Sequence, residues 1–85
     1  MLMLEASLSS LIGKRITVFC CRYIYTGILI DVYHNSTILL RDAGIVFETG
    51  ELDNDEWTDM QKLPHDWCVQ VSSIESFGVL KSCLK

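Results

Sequence analysis

Three groups of residues have types and spacings that could do chemistry. Asp53, Asp55 and Asp59 gather carboxylates at a spacing that invites calcium. A calcium loop of that pattern needs glycine at its sixth position and glutamate at its twelfth; Thr58 and Pro64 stand there instead, so the cluster reads as a solvated acidic turn. His65 and Cys68 suggest a thiol beside a base. Residues so close in a chain rarely reach the geometry of a nucleophile pair, and no third orienting group accompanies them. The last group is Asp31-x-Tyr33-x-Asn35, a ring that a flat base can stack on, flanked by hydrogen-bonding groups. Asx residues there could equally do no more than shape a turn. With no phosphate-cradling glycine run and no carboxylate pair in an apolar setting, the chain reads as non-catalytic and free of cofactors.

Composition narrows the setting. Eighty-five residues with 49% hydrophobic content make a single domain, 1–85, rich in apolar side chains for its size. Apolar surface left over from one core usually finds a partner. The net charge of −4 disfavours broad, non-specific nucleic-acid binding. Its distribution is uneven: residues 48–66 hold seven acids against one base, Lys62. The basic residues elsewhere are scattered, and Lys14 with Arg15 makes the best small patch, read first as favourable charge at a helix C-terminus. None of the four cysteines, Cys20, Cys21, Cys68 and Cys83, shows zinc-knuckle spacing. They read as reduced thiols, which places the chain in a cytoplasm. No apolar run reaches the length of a membrane span.

The elements that must position these residues follow from periodicity. In residues 3–12, Leu4, Leu8, Leu11 and Ile12 recur on one helical face, and Gly13 ends the pattern. From Lys14 the repeat shortens to two. Ile16, Val18 and Cys20 share one face of a strand, and Thr17, Phe19 and Cys21 the other. YIYTGILIDVY is strand-like but does not alternate cleanly, and Gly27 inside it marks a bend. His34-Asn35-Ser36 is a turn, and strand character resumes from Thr37 to Phe47, giving a long hairpin. Residues 50–66 lack strand periodicity and read as an acidic insertion. Asp53 and Glu56 there suggest a capping box for one helical turn through Trp57 and Met60. Two short strands close the chain, one around Trp67–Val71 and one around Ile74–Leu80.

A helix followed by five short, bent strands suggests a small, nearly closed barrel. Three stretches resemble the Sm and Sm-like family: the run through Leu11-Ile-Gly-Lys-Arg-Ile-x-Val18, Gly27-x-Leu29 through Ile38-x-Leu40-x-Asp42-Ala43, and Val69-x-Val71-x-x-Ile74. The resemblance implies a mostly β fold, a five-stranded, strongly bent open barrel with an N-terminal α-helix. It also implies a homo-oligomeric ring closed by strand pairing between neighbours. An open barrel has two unpaired edges, and head-to-tail pairing hides both. Val69, Val71, Phe77 and Val79 are the side chains expected near that seam.

Rings of this family typically bind single-stranded RNA around the pore, with an Asp, a stacking residue and an Asn at the hairpin tip and an Arg-Gly pair in the second motif. Fitted without a gap, those five positions are Tyr33, Asn35, Thr37, Gln70 and Val71, and none keeps the family's residue type. Displaced by two residues, Asp31, Tyr33 and Asn35 supply the tip types at the right relative spacing. A slip of two keeps strand faces in phase. The leading expectation is a ring that acts as an interaction scaffold, possible partners being another protein or, alternatively, single-stranded RNA held in an altered pocket. Trp57 and Trp67 would either fold the insertion onto the barrel or form a protein-binding face. Chemistry by Cys68 and His65 ranks last.

Overall fold

The computed structural model describes residues 8–34 and 36–81. Six strands form one antiparallel sheet: β1 (Arg15–Cys20), β2 (Ile24–Tyr33), β3 (Thr37–Glu48), β4 (Asp59–Lys62), β5 (Trp67–Gln70) and β6 (Ile74–Gly78). Neighbours run β4-β3-β2-β1-β6, and β5 also pairs with β3. A 3-10 turn, Val71–Ser73, joins β5 to β6.

The two-residue repeat of β1 decides its packing. Ile16 and Val18 are fully buried, and Cys20 packs against the same cluster. Thr17, on the opposite face, is fully buried as well. Its hydroxyl donates to the Leu80 carbonyl at 3.3 Å, so the C-terminal segment covers that face.

Gly27 explains the broken alternation of β2. A Cβ at this position would lie 2.9 Å from the Leu40 Cβ and 3.3 Å from Ala43. Only glycine lets the two strands approach this closely. The ladder slips here: Thr26 pairs with Gly44 and Ile28 with Arg41, leaving Asp42 and Ala43 as the bulge. A second slip at Ile30 separates the Leu29–Leu40 and Asp31–Leu39 pairs. Two bulges in one hairpin curl it around the core. Leu8, Ile16, Val18, Leu29, Ile38, Leu40, Ala43 and Val69 fill that core.

The expectation for residues 50–66 needs correction. Met60 pairs with Val46 in β4, so no helical turn runs through Trp57 and Met60. The N-terminal half of β3 pairs with β5 and its C-terminal half with β4. β4 and β5 therefore lie end to end along β3 as one strand interrupted at residues 63–66. The five expected strands are present if these two segments count as one, and the true excursion shrinks to residues 49–58. A local capping signal loses here to sheet pairing and to Lys81. The Lys81 ammonium donates to the carbonyls of Glu51 and Glu56, both at 2.7 Å, and lies over the Trp57 ring 4.8 Å from its centroid. Trp57 thus folds the excursion back onto the barrel.

Residues 3–7 of the expected helix lie outside the described residues. Leu8 and Ser9 are helical, and residues 10–13 turn. The Leu11 and Ile12 amides bond carbonyls three residues back, at 2.9 and 3.2 Å. That tighter winding moves Ile12 off the apolar face: Leu8 is buried and Leu11 packs on the core, while Ile12 is exposed. Gly13, at φ 93°, turns the chain into β1 and donates to the Leu29 carbonyl at 2.8 Å.

Candidate functional site

The hairpin tip and the β5–β6 connection meet at one end of the barrel. Tyr33 ends β2 and pairs with Thr37 at the start of β3. Thr37 pairs in turn with Gln70 at the end of β5. Tyr33, Thr37 and Gln70, 37 positions apart in sequence at the extremes, thus form one row across three strands. The Ser36 amide closes the tip on the Tyr33 carbonyl at 2.9 Å, with His34 left-handed at φ 52°. Val71 joins the row from below, its amide donating to the Ser36 carbonyl at 2.8 Å. Asn35, the remaining member of both fits, lies outside the described residues. The four described positions of the gapless fit, Tyr33, Thr37, Gln70 and Val71, therefore assemble into one patch, and none of the four carries a charge.

Asp31 lies two residues before Tyr33, on the same exposed face. Its carboxylate accepts from the Val32 amide at 2.8 Å, a local contact that shapes the strand next to the bulge. Tyr33 retains 40% of its surface exposed, enough for one face of the ring to receive a partner.

Among the described residues, most of the positive charge is engaged within the chain, Arg15 and Lys81 in buried contacts and Arg41 and Lys62 in exposed ones. Arg15, expected as half of a small surface patch, is buried and donates to Asp42 at 2.6 Å. Arg41 pairs with Asp66 at 3.0 Å and Lys62 with Asp42 at 3.1 Å. Lys81 is enclosed by the 49–58 excursion. Among the described residues this leaves the side chains of Lys14 and Arg22 with neither a carboxylate nor a carbonyl partner.

Arg22 borders a cleft that sequence reasoning missed. Cys20, Cys21, Arg22, Tyr23, Tyr25 and Ser73 line about 330 Å³ at the β1–β2 turn. The Tyr23 and Tyr25 rings meet edge to face with centroids 6.1 Å apart. The signal was present as Arg22-Tyr23-x-Tyr25, an aromatic pair at strand spacing behind a cation. Burial raises the Cys20 thiol above its ordinary value, keeping it protonated and a poor nucleophile. Burial likewise raises the Tyr25 phenol. His65 and Cys68 are both exposed and, among the described residues, share no hydrogen bond. Cys20, Cys21 and Cys68 are free thiols, and no group of three or more His, Cys, Asp or Glu among the described residues could hold a metal. No helix among them is long and apolar enough to cross a membrane.

The two edges of the sheet are open. The Val71–Ser36 bond sets the phase of the β5–β3 ladder: Val69 and Val71 point their backbone groups at β3. Cys68 and Gln70 then point theirs outward. At the other edge, the Cys20–Tyr23 and Leu29–Lys14 bonds give the even residues of β1 to β2. The odd ones face β6, where Ser76 and Gly78 answer them and Phe77 turns its N–H and C=O outward. Of the side chains expected at a seam, Phe77 and Val71 are half-buried and Val79 is 48% exposed. Val69 is buried in the chain's own core, so it fills this barrel and leaves only the edge beside it to a neighbour.

No family model matches the chain, and no curated protein sequence does. Solved structures do. A heptameric archaeal Sm protein superposes with a TM-score of 0.66 at 20% identity, over 85% of this chain and 93% of that one. The P. aerophilum SmAP1 heptamer gives 0.68 at 21%, over 88% and 89%. A Pyrococcus abyssii Sm protein, solved in complex with a uridine heptamer, gives 0.63 at 14%, over 85% and 90%. The fold is the Sm-like barrel. The likeness spans nearly all of each partner chain at an identity low enough that the shared information is the backbone path.

Proposed function

We propose that this chain is a non-catalytic subunit of a homo-oligomeric ring whose exposed end presents a binding platform. The pair of open, complementary edges carries the reading. Outward backbone groups at Cys68 and Gln70 on β5 have a geometric counterpart at Phe77 on β6 of a second copy. Each unpaired edge is a standing liability, and cyclic head-to-tail pairing removes both at once. The half-buried Phe77 and the exposed Val79 gain cover in the same step. Two of the similar structures are described as heptamers.

Two readings of the platform follow. As an interaction scaffold, the ring has given up the family's RNA pocket, since none of the five pocket types stands at the gapless positions and the 49–58 excursion displays acids. As a single-stranded RNA binder, it stacks a base on Tyr33 and hydrogen-bonds it through Thr37 and Gln70. The row formed by those three residues favours the second reading, as does the uridine heptamer on the Pyrococcus protein. The free thiols suit a reducing cytoplasm.

Native mass spectrometry of the purified chain, with and without short single-stranded RNA, tests both levels. One closed oligomer that takes up RNA supports the ring and the second reading. A closed oligomer that ignores RNA at low salt leaves the scaffold. A stable monomer overturns the ring.

A further inference from the structure

We infer that the cleft at the β1–β2 turn is a second nucleotide site, in which Tyr23 stacks a base of single-stranded RNA and Arg22 takes the phosphate beside it. The inference rests on the RNA reading of the hairpin-tip row and adds a site that the tip does not contain.

Four observations carry it. The cleft has about 330 Å³, at the small end of what ligand sites use. Tyr23 is 48% exposed and is held edge-on by Tyr25, so its ring is a preset platform. A fixed, half-exposed aromatic face stacks any base at little entropic cost. Arg22 is one of two cations among the described residues whose side chain has neither a carboxylate nor a main-chain carbonyl as partner, and its planar donor fork matches a phosphate. The cleft also adjoins the row. The 3-10 turn Val71–Ser73 bonds Ser36 at its first residue and Cys21 at its last, at 2.8 and 3.3 Å. Three residues of that winding advance about 6 Å, so one strand of RNA can pass from Tyr33 to Tyr23 along a single rim. Glu75 lies near the mouth, 4.0 Å from the Cys21 sulfur, and opposes the phosphate.

The test is fluorescence anisotropy with a labelled oligouridylate and a labelled oligoadenylate, on the intact protein, at several salt concentrations. Y23A should weaken both by about tenfold, and Y23F should bind as the wild type does, because the ring and not the hydroxyl is used. R22Q should weaken binding and flatten the log–log salt dependence by about one unit. E75Q should tighten it. Circular dichroism and native mass of each variant should match the wild type. If the wild type binds RNA and Y33A abolishes this while Y23A and R22Q do not, the cleft is not on the path and the tip reading survives alone. If the wild type binds no RNA at low salt, both fall together. If Y23A changes the oligomer mass instead, a neighbouring copy covers the cleft and the nucleotide site is overturned.

Discussion

Arg15 and Asp42 are joined twice: Nη2 of Arg15 donates to the Asp42 carboxylate at 2.6 Å, and Nη1 to the Asp42 main-chain carbonyl at 3.1 Å. Asp42 is left-handed, at φ 54°, inside the bulge that faces Gly27. The guanidinium is buried, so it braces a backbone conformation that aspartate adopts only at a cost. Lys62 reaches the other carboxylate oxygen at 3.1 Å and brings β4 into the same contact.

A pH dependence follows. Hydrogen bonding from the Lys62 ammonium, with the Arg15 guanidinium beside it, holds the Asp42 carboxyl below the usual carboxylate range against a smaller opposing effect of burial. A folded-state value below the unfolded one means the contribution is complete above the unfolded value, near pH 4, and is lost as pH falls through the folded one. Urea melts at pH 6 and pH 3 should show the wild type losing more stability on acidification than Asp42→Asn. The carboxylate is partly exposed, so the difference should stay within about 1 kcal/mol. Equal acid losses in the two proteins would remove the ion pair from the account.

The bend at Gly27 makes a second prediction. A methyl group there would press on the Leu40 and Ala43 side chains and on the Ala43 backbone. Both neighbours belong to the core and cannot swing aside. Gly27→Ala should therefore destabilise the fold by about 1–3 kcal/mol in urea denaturation, the usual range for overpacking. An unchanged midpoint would mean that β2 and β3 can separate without loss.

How much of this was legible in the sequence depends on which forces set each feature. Gly27 and the two-residue repeat of Ile16 and Val18 announced the bent barrel, because local sterics and burial decide both. The strand at Asp59–Lys62 was hidden, because its residues carry no apolar alternation and are placed by β3 rather than by their own propensity. Asp53 and Glu56 misled for the same reason. Arg15 looked like surface charge because its partner is 27 positions away, across a bulge. The tip positions Tyr33, Thr37 and Gln70 could be aligned but not seen as a row until the pairing of β5 was known. Arg22, Tyr23 and Tyr25 were passed over as ordinary strand residues, since a cleft is a property of three-dimensional shape.

Lys81 makes a third prediction. Its ammonium is buried and held by the Glu51 and Glu56 carbonyls and the Trp57 face. Lys81→Met keeps the stem and removes the charge, leaving two carbonyls without their donor. The expected loss is about 1–3 kcal/mol. Trp57 is mostly buried, so loosening the 49–58 excursion should also shift its emission to the red and expose the loop to limited proteolysis. Trp67 contributes a second signal, and the Trp67→Phe background isolates the first. Unaltered emission and cleavage would mean that the excursion is held by something other than Lys81.

The ring can be separated from the fold by one substitution at Gln70. Its backbone already sits at φ −73° and ψ 127°, which proline adopts without strain. Val69 before it is in a strand, as a residue preceding proline must be. By the phase of the β5–β3 ladder the Gln70 N–H points to the open edge, so proline there removes no bond within the chain. It does remove the donor that a neighbouring β6 would need. Gln70→Pro should keep its circular dichroism as an isolated barrel, with a thermal midpoint lowered only by the lost assembly, and native mass spectrometry should find monomer where the wild type is a closed oligomer. Ser76→Pro is the contrast: that N–H faces β1, so the chain itself should lose stability. If Gln70→Pro still assembles fully, strand addition at β5 does not close the ring.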